Sequence, residues 1–394
     1  RAPSGTSIYL GAYVKGDNYM NMSGTKPERM QLDDLHWETS TEYNYGADVM
    51  LFGGRLKFTF DYYQKYIKDL LQKDYKLPSS TGFGSMRYYN SGKMENKGWE
   101  FRADAIFWKN KDWQISGYVN LSRNENRITE LPGNMAQETY EANNGKYAAR
   151  VEVGQPVGAF YGYRYLGVYK DKDATYARDA SGNIMNDVHG KPIVMKNLTK
   201  ACQPGDAIYE DINHDGVINQ YDIVYLGNYN PVLTGGAGLT VKYKQVSLSA
   251  FFHGRFGQSI VNTARMKNES MYSDDNQSTA VLRRWRNEGD VTDIPRALYK
   301  EGYNYLGSDR FVEDASFIRL KTLTLNYSFP KKICNRLGIN TLSCFATGYN
   351  LFTWTNYTGQ DPEVEIPTKP TALAEDKATT PVSMRFAFGI NLNF

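Results

Sequence analysis

Residues 384–394 read MRFAFGINLNF, and the faces of this stretch decide the fold. Met384, Phe386, Phe388, Ile390, Leu392 and Phe394 are apolar, and Arg385, Ala387, Gly389, Asn391 and Asn393 stand between them. Apolar residues recurring at period two describe a β-strand whose two faces meet different surroundings. In a soluble sandwich the apolar face packs on a second sheet. In a membrane barrel it meets lipid, and the polar face lines the lumen.

The same two-faced pattern recurs upstream. Ile8, Leu10, Ala12 and Val14 share a face. Tyr43, Tyr45, Ala47, Val49 and Leu51 alternate with Glu42, Asn44, Gly46 and Asp48, and FGGR then turns the chain into Leu56, Phe58, Phe60 and Tyr62. Trp99, Phe101, Ala103, Ala105 and Phe107 alternate with Glu100, Arg102 and Asp104. Trp113 to Leu121, Leu239 to Tyr243, Val246 to Phe252, Leu323 to Phe329 and Leu342 to Ala346 follow the same rule. With the terminal run this predicts about ten strands, many of ~9–11 residues, the length a tilted membrane strand needs. Soluble strands average ~5–6 residues. Three charges in one strand face, Glu100, Arg102 and Asp104, suit a wet lumen rather than a sandwich interior. The connections alternate between short (near 52–55, 108–112, 244–245 and 330–340) and long (near 16–40, 68–97, 123–232, 258–312 and 355–380). Short periplasmic turns and long external loops give that alternation. The assignment makes the chain multi-pass, with long extracellular loops and its C-terminus in the periplasm. The 123–232 connection is too long for a bare loop and is expected to be a folded insertion.

Composition narrows the classes. The 394 residues carry a formal charge of +3 without a clustered basic face, so there is no electrostatic case for nucleic acid. No apolar run approaches the ~18 residues of a membrane helix. Aromatics make up 14%, including 31 Tyr, which suits strands and membrane interfaces. The chain opens on Arg1 without a signal peptide and is expected to be processed or part of a longer polypeptide. Three cysteines, Cys202, Cys334 and Cys344, do not make a disulfide framework, although Cys334 and Cys344 are a candidate pair.

Several longer stretches carry a family likeness. GNYMNMSGTKPERMQLDDLHWETSTEYNYGADV, FDYYQKYIKDLL, STGFGSMRYYNSGKMENKGWEF, VGQPVGAFYGYRYLGVYKD, GDAIYEDINHDGVINQYDIVYLGNYNPVLTGG, FIRLKTLTLNYSFP and GYNLFTWTNYTGQDPE stand in one order along the chain. In these stretches the chain resembles the C-terminal part of the SusC-type TonB-dependent transporters of Gram-negative outer membranes. The resemblance implies an all-β, antiparallel transmembrane barrel of 22 strands, of which residues 1–394 would supply about ten. It implies import of glycans or oligopeptides with a SusD-type surface lipoprotein as lid. An N-terminal plug and the remaining barrel would complete the protein, and TonB would act through that plug part. Nothing in the sequence resembles the plug.

The sharpest local motif is DINHDGVINQYD, residues 211–222. Asp211, Asn213 and Asp215 occupy positions 1, 3 and 5 of a calcium loop, Gly216 the turn, and Val217 offers a carbonyl. Asn219 would act through water, and Asp222 replaces the usual bidentate Glu. Hard oxygens at this spacing suit Ca²⁺ better than Mg²⁺, and an Asx-rich turn closed by its own hydrogen bonds is the plainer alternative. Among the loop aromatics, Tyr88, Tyr89, Trp285 and Tyr305 are the candidates for stacking on cargo, although most such rings brace loops. No HExxH, GxSxG or P-loop pattern is present, so catalysis is not indicated. Two other readings remain open at this stage. One is a soluble, secreted, calcium-stabilised glycan-binding β-protein; the other is a barrel-embedded outer-membrane hydrolase.

Overall fold

The computed structural model describes residues 10–20, 22–131, 144–148, 150–365 and 373–394. Nine strands form one antiparallel sheet in chain order. They are β1 (Thr39–Leu51), β2 (Leu56–Lys68), β3 (Lys93–Lys109), β4 (Trp113–Glu130), β5 (Leu233–Tyr243), β6 (Val246–Phe256), β7 (Phe317–Ser328), β8 (Thr341–Thr355) and β9 (Arg385–Asn393). Of the ten expected strands, nine form this sheet among the described residues. Of the earliest predicted strand, Ile8 lies outside the described residues. Ala12 and Val14 belong to strand Ala12–Tyr19, which pairs with Met22–Arg29 instead of joining the sheet. A reversal at Met20, with φ +48°, makes that hairpin the nearest available partner, and short loop closure costs least entropy.

The register carries one apolar row from strand to strand. Val49 faces Phe58, then Ala103, Val119, Ala237 and Phe252 in turn. Val241, Leu248, Leu325, Ala346 and Phe388 form another row on the same face. The opposite face runs Asp48, Thr59, Arg102, Asn120, Gly236, His253, Arg319 and Thr353. Phe58, Phe60, Phe101, Val119, Leu248, Phe386 and Phe388 therefore share the apolar face, as the alternation predicts. That face has no second sheet on it: Phe388 is 80% exposed and Ile390 68%. A patch of this extent in water would be an association surface. In a bilayer it is the ordinary outer wall of a barrel.

Aromatic rings border the band. Trp113 and Tyr243 have centroids 4.4 Å apart at the end with short connections. A bulge in β3 brings Trp108 opposite Ile115 there. Tyr62 pairs with Trp99 toward the other end. From Trp99 to Trp108 the strand covers about 30 Å at ~3.3 Å per residue. At a tilt of ~40° that is about 23 Å along the membrane normal, close to the ~25 Å apolar band of outer-membrane barrels. No helix among the described residues is long and apolar enough to cross a membrane, which does not bear on strands.

All the short connections lie at one end of the sheet, and one of them contains the helical turn Lys331–Arg336. The long ones lie at the other end and hold the buried core. Ala148, Tyr161, Tyr163, Tyr209, Ile218 and Leu306 belong to its main cluster, drawn from two connections far apart in sequence. β4 continues to Glu130, past the expected start of the long connection, because β3 begins early enough to pair Lys93 with Glu130. β1 and β9 are the outer strands of the sheet and do not pair with one another.

Candidate functional site

The loop end of the inner wall is built from the strands upward. In β7, Phe317 and Arg319 point to the polar face, and a bulge frees Lys321 from the ladder. Arg319 is 3% exposed. Its Nη2 donates to Asp361 Oδ1 at 2.6 Å, its Nη1 to Glu363 Oε2 at 2.7 Å and its Nε to Thr353 Oγ1 at 2.8 Å. Lys321 Nζ reaches the same Glu363 at 2.6 Å. Two cations on the wall thus hold two carboxylates of the connection between β8 and β9. A buried charge needs such partners to be tolerated.

The same connection is tied to the neighbouring loops. Val261 and Asp376 exchange backbone hydrogen bonds with 374 and 261. Tyr357 donates its hydroxyl to Asp376 at 2.7 Å. Glu313 accepts from Arg265 at 3.0 Å and from the Thr358 amide at 3.0 Å. The 144–232 connection is bound to the 257–316 connection by Tyr163 N–H to Gly307 O at 2.9 Å and by Tyr165 N–H to Asp309 at 2.7 Å. Arg296 donates to Asp206 across the same seam at 2.8 Å. Within the connection between β8 and β9 opens a cleft of about 450 Å³ lined by Asp361, Glu363, Glu365, Glu375, Asp376 and Lys377 among others. Among the described residues the charged groups lining the cleft are carboxylates and one lysine, and it holds no nucleophile set against a base.

The sequence candidates fall in different places. Tyr88 is buried and Tyr89 half-buried, both beside a 330 Å³ cleft that includes Leu32, His36 and Asn90. Trp285 lies against Gly205, where a Cβ would fall inside its ring and φ is +85°. Tyr305 packs on Tyr272 with centroids 5.4 Å apart. Tyr88, Trp285 and Tyr305 each pack within loops in this structure. The charges predicted for the lumen do share the inner face. Arg102 pairs with Asp104 at 2.6 Å and lies 4.7 Å from the Tyr118 ring centre. Thr59 donates to Asp48 at 2.6 Å, and Glu42 stands 3.6 Å from Lys65.

Sequence reasoning missed the Arg319 clamp. Its signal was faint: two cations two apart in FIRLK, with DPEVE some forty residues on and nothing in either spacing to join them.

The 211–222 loop closes on itself. Asp211 accepts from the Gly216 amide at 2.8 Å and from the Asp215 amide at 3.2 Å. Asp215 accepts from the Val217 amide at 2.8 Å and from Asn213 Nδ2 at 2.9 Å. Asn219 donates to the Val217 carbonyl at 3.1 Å. Asp222 is fully buried, and its two oxygens accept from the Ile212 and Asn219 amides at 2.9 and 2.8 Å. Burial pushes its carboxyl above the usual range against those hydrogen bonds. Among the described residues no three His, Cys, Asp or Glu side chains are gathered as a metal cluster. The donor set fits a cation in part: Asp211, Asn213, Asp215 and the Val217 carbonyl share one turn, while Asp222 is committed to the backbone. All three cysteines are free, so Cys334 and Cys344 do not pair.

Residues 1–189 match the family described as TonB dependent receptor-like, beta-barrel. TonB-dependent receptor P3 of Formosa agariphila is 30% identical over 99% of this chain and 37% of its own length. TonB-dependent receptor SusC of Bacteroides thetaiotaomicron is 28% identical over 97% of this chain and 34% of its own. The chain therefore spans little more than a third of the curated relatives it matches. A solved structure of the RagAB peptide transporter superposes with a TM-score of 0.73 at 23% identity, covering 98% of this chain and 39% of that one.

Proposed function

We propose that this chain, which matches the TonB-dependent receptor β-barrel family over residues 1–189 and resembles SusC along its length, forms one wall and much of the outer vestibule of an outer-membrane nutrient importer. The observation that carries the reading is the nine-stranded sheet with a lipid-type face, a charged inner face and interlocked loops at one end only. The outer edges of β1 and β9 are unpaired within the described chain, and lipid does not tolerate unpaired backbone, so further strands continue the sheet on both sides. A plug segment contributed by the rest of the protein occupies the lumen against Asp48, Asp61, Glu100, Arg102 and Arg385, and TonB acts through it. The short connections and Phe394 face the periplasm. The loops face outward, where a SusD-type lipoprotein closes over them.

The cargo is a glycan or an oligopeptide. The peptide is the cargo in the name of the RagAB structure; the glycan rests on the sequence resemblance alone. In cells expressing the whole receptor with its lipoprotein, labelled oligopeptides and oligosaccharides should be tested side by side, with and without a protonophore. Energy-dependent accumulation of one class supports the reading. A folded, surface-displayed receptor that accumulates neither contradicts it.

The 211–222 loop is proposed as a weak structural Ca²⁺ site. Asp211, Asn213, Asp215 and the Val217 carbonyl would hold the ion, with Asn219 assisting through water, and Asp222 brace the turn. External modules of this kind work at ~10⁻⁴–10⁻³ M Ca²⁺.

A further inference from the structure

β5 begins at Leu233 and pairs with β4 only as far as Ser122. Beyond Ser122, where β4 runs on to Glu130, its far edge is met instead by the 154–157 segment: Ile128 N–H donates to Gln155 O at 3.1 Å, and Ile128 O accepts from the Gly154 amide at 2.7 Å. A cleft of about 240 Å³ opens there, walled by Arg123, Glu125, Arg127, Gln155, Tyr225 and Asn230 among others. Arg123 and Arg127 have the same strand parity as Val119 and Leu121, so they stand on the outward, lipid-type face. Arg123 lies directly opposite Trp99 of the aromatic border, and Lys97 lies opposite Glu125 one pair further out.

The charges are loosely matched. Lys97, Arg123 and Arg127 stand 3.7, 3.7 and 3.8 Å from Glu125, all beyond ordinary hydrogen-bond length. Two further carboxylates share this face: Glu95 accepts from Gln64 at 2.7 Å, and Glu130 pairs with Lys93 at 2.5 Å. Four cations (Lys93, Lys97, Arg123 and Arg127) therefore face three carboxylates, and with Lys93 closed on Glu130 the two guanidiniums flank the cleft with fork donors to spare. Guanidinium forks suit phosphate. Their height matters as much as their charge. Immediately beyond an interfacial Trp is the level of lipid headgroups.

We infer that Arg123 and Arg127, with Lys97 beside them, bind a phosphate-bearing lipid headgroup in the leaflet at the loop end of the barrel. The occupant is a lipid and not free phosphate, because Arg123 stands directly opposite Trp99 at the border of the apolar outer face that acyl chains cover. The inference goes beyond the import reading and stands whether or not cargo moves.

The test uses the whole receptor in symmetric nanodiscs, so that it does not depend on which end of the barrel faces outward. The probe is a bisphosphorylated glucosamine-disaccharide lipid doped into phosphatidylcholine, with retention read by native mass spectrometry. Wild type should retain the phosphorylated lipid and not its dephosphorylated form. The double variant Arg123→Gln, Arg127→Gln should lose about tenfold or more in retention, at roughly a factor of five per surface charge removed. Lys57→Gln, on the inner wall, should change nothing. Millimolar inorganic phosphate should not displace the lipid; full displacement would show a free-phosphate site and overturn the assignment. Equal retention by wild type and the double variant, with both barrels folded by gel heat-modifiability, would also overturn it.

Discussion

Arg319 of β7 holds Asp361 at 2.6 Å and Glu363 at 2.7 Å, so that one wall residue anchors the loop that leads into the last strand. The pair is buried at the wall and half-shielded at the loop, and Lys321 completes the charge balance. The clamp gives the connection between β8 and β9 a fixed seat on the lumen rim instead of a free excursion into it.

Replacing Arg319 by Met should therefore release this loop while leaving the barrel intact. Asp361 would lose its main partner and Glu363 one of its two cations, and breaking one side of a buried pair costs about 3–5 kcal/mol. Hydrogen exchange of residues 373–384 in the whole receptor should rise, with the sheet amides unchanged. Unchanged protection of that segment would mean the loop is held by Val261 and Tyr357 alone.

Acid should act on the same seat. Burial pushes the Asp361 carboxyl upward, but the Arg319 hydrogen bond and the Glu363 and Val382 amides outweigh it, leaving it below the usual carboxylate range. For Glu313, burial is likewise outweighed by Thr358 and Arg265. A carboxyl whose folded value is lowered stabilises fully above its unfolded value of ~4 and loses that contribution as pH falls through the folded value. Protection of 373–384 should be flat from neutral pH to about 5 and decline below ~4. A decline beginning near neutrality would point to a histidine instead.

On the membrane face, Phe386→Arg should destabilise the barrel by about 2–4 kcal/mol if it sits near the bilayer midplane, measured by denaturant unfolding in lipid. Ala387→Arg, one residue on and turned to the lumen, should cost far less. Equal costs would remove the two-faced register on which the fold rests.

For the 211–222 loop, millimolar Ca²⁺ should slow hydrogen exchange in that loop, and Asp211→Ala with Asp215→Ala should abolish the response without unfolding the barrel. A loop indifferent to Ca²⁺ in the wild type would leave the closed Asx turn as its whole description.

How much of this was legible in the sequence depends on the range of the signal. β9 could be read from its own residues because period-two alternation is local, and the short turns at 52–55 and 244–245 punctuate it. Ala12 and Val14 misled because four alternating residues do not reveal their partner, and a nearby return strand captured them. Tyr88 and Tyr161 show the limit for the site: a ring in an aromatic-rich loop reads the same whether it faces cargo or, as here, is buried at 4% and 0% exposure. The clamp was invisible because Arg319 and Asp361 meet only once the sheet has brought β7 beside β8. In the calcium-like loop the residue types were clear, but not that Asp222 spends both oxygens on the Ile212 and Asn219 amides.

The central claim is that the apolar face meets lipid and the charged face lines the lumen. It is tested most directly by single fluorescent labels at successive positions 385–390 of the whole receptor in a bilayer, each exposed to a lipid-soluble and a water-soluble quencher. Labels at 386, 388 and 390 should be quenched from the lipid, and those at 385, 387 and 389 from the lumen. The reverse alternation, or none, would contradict the account.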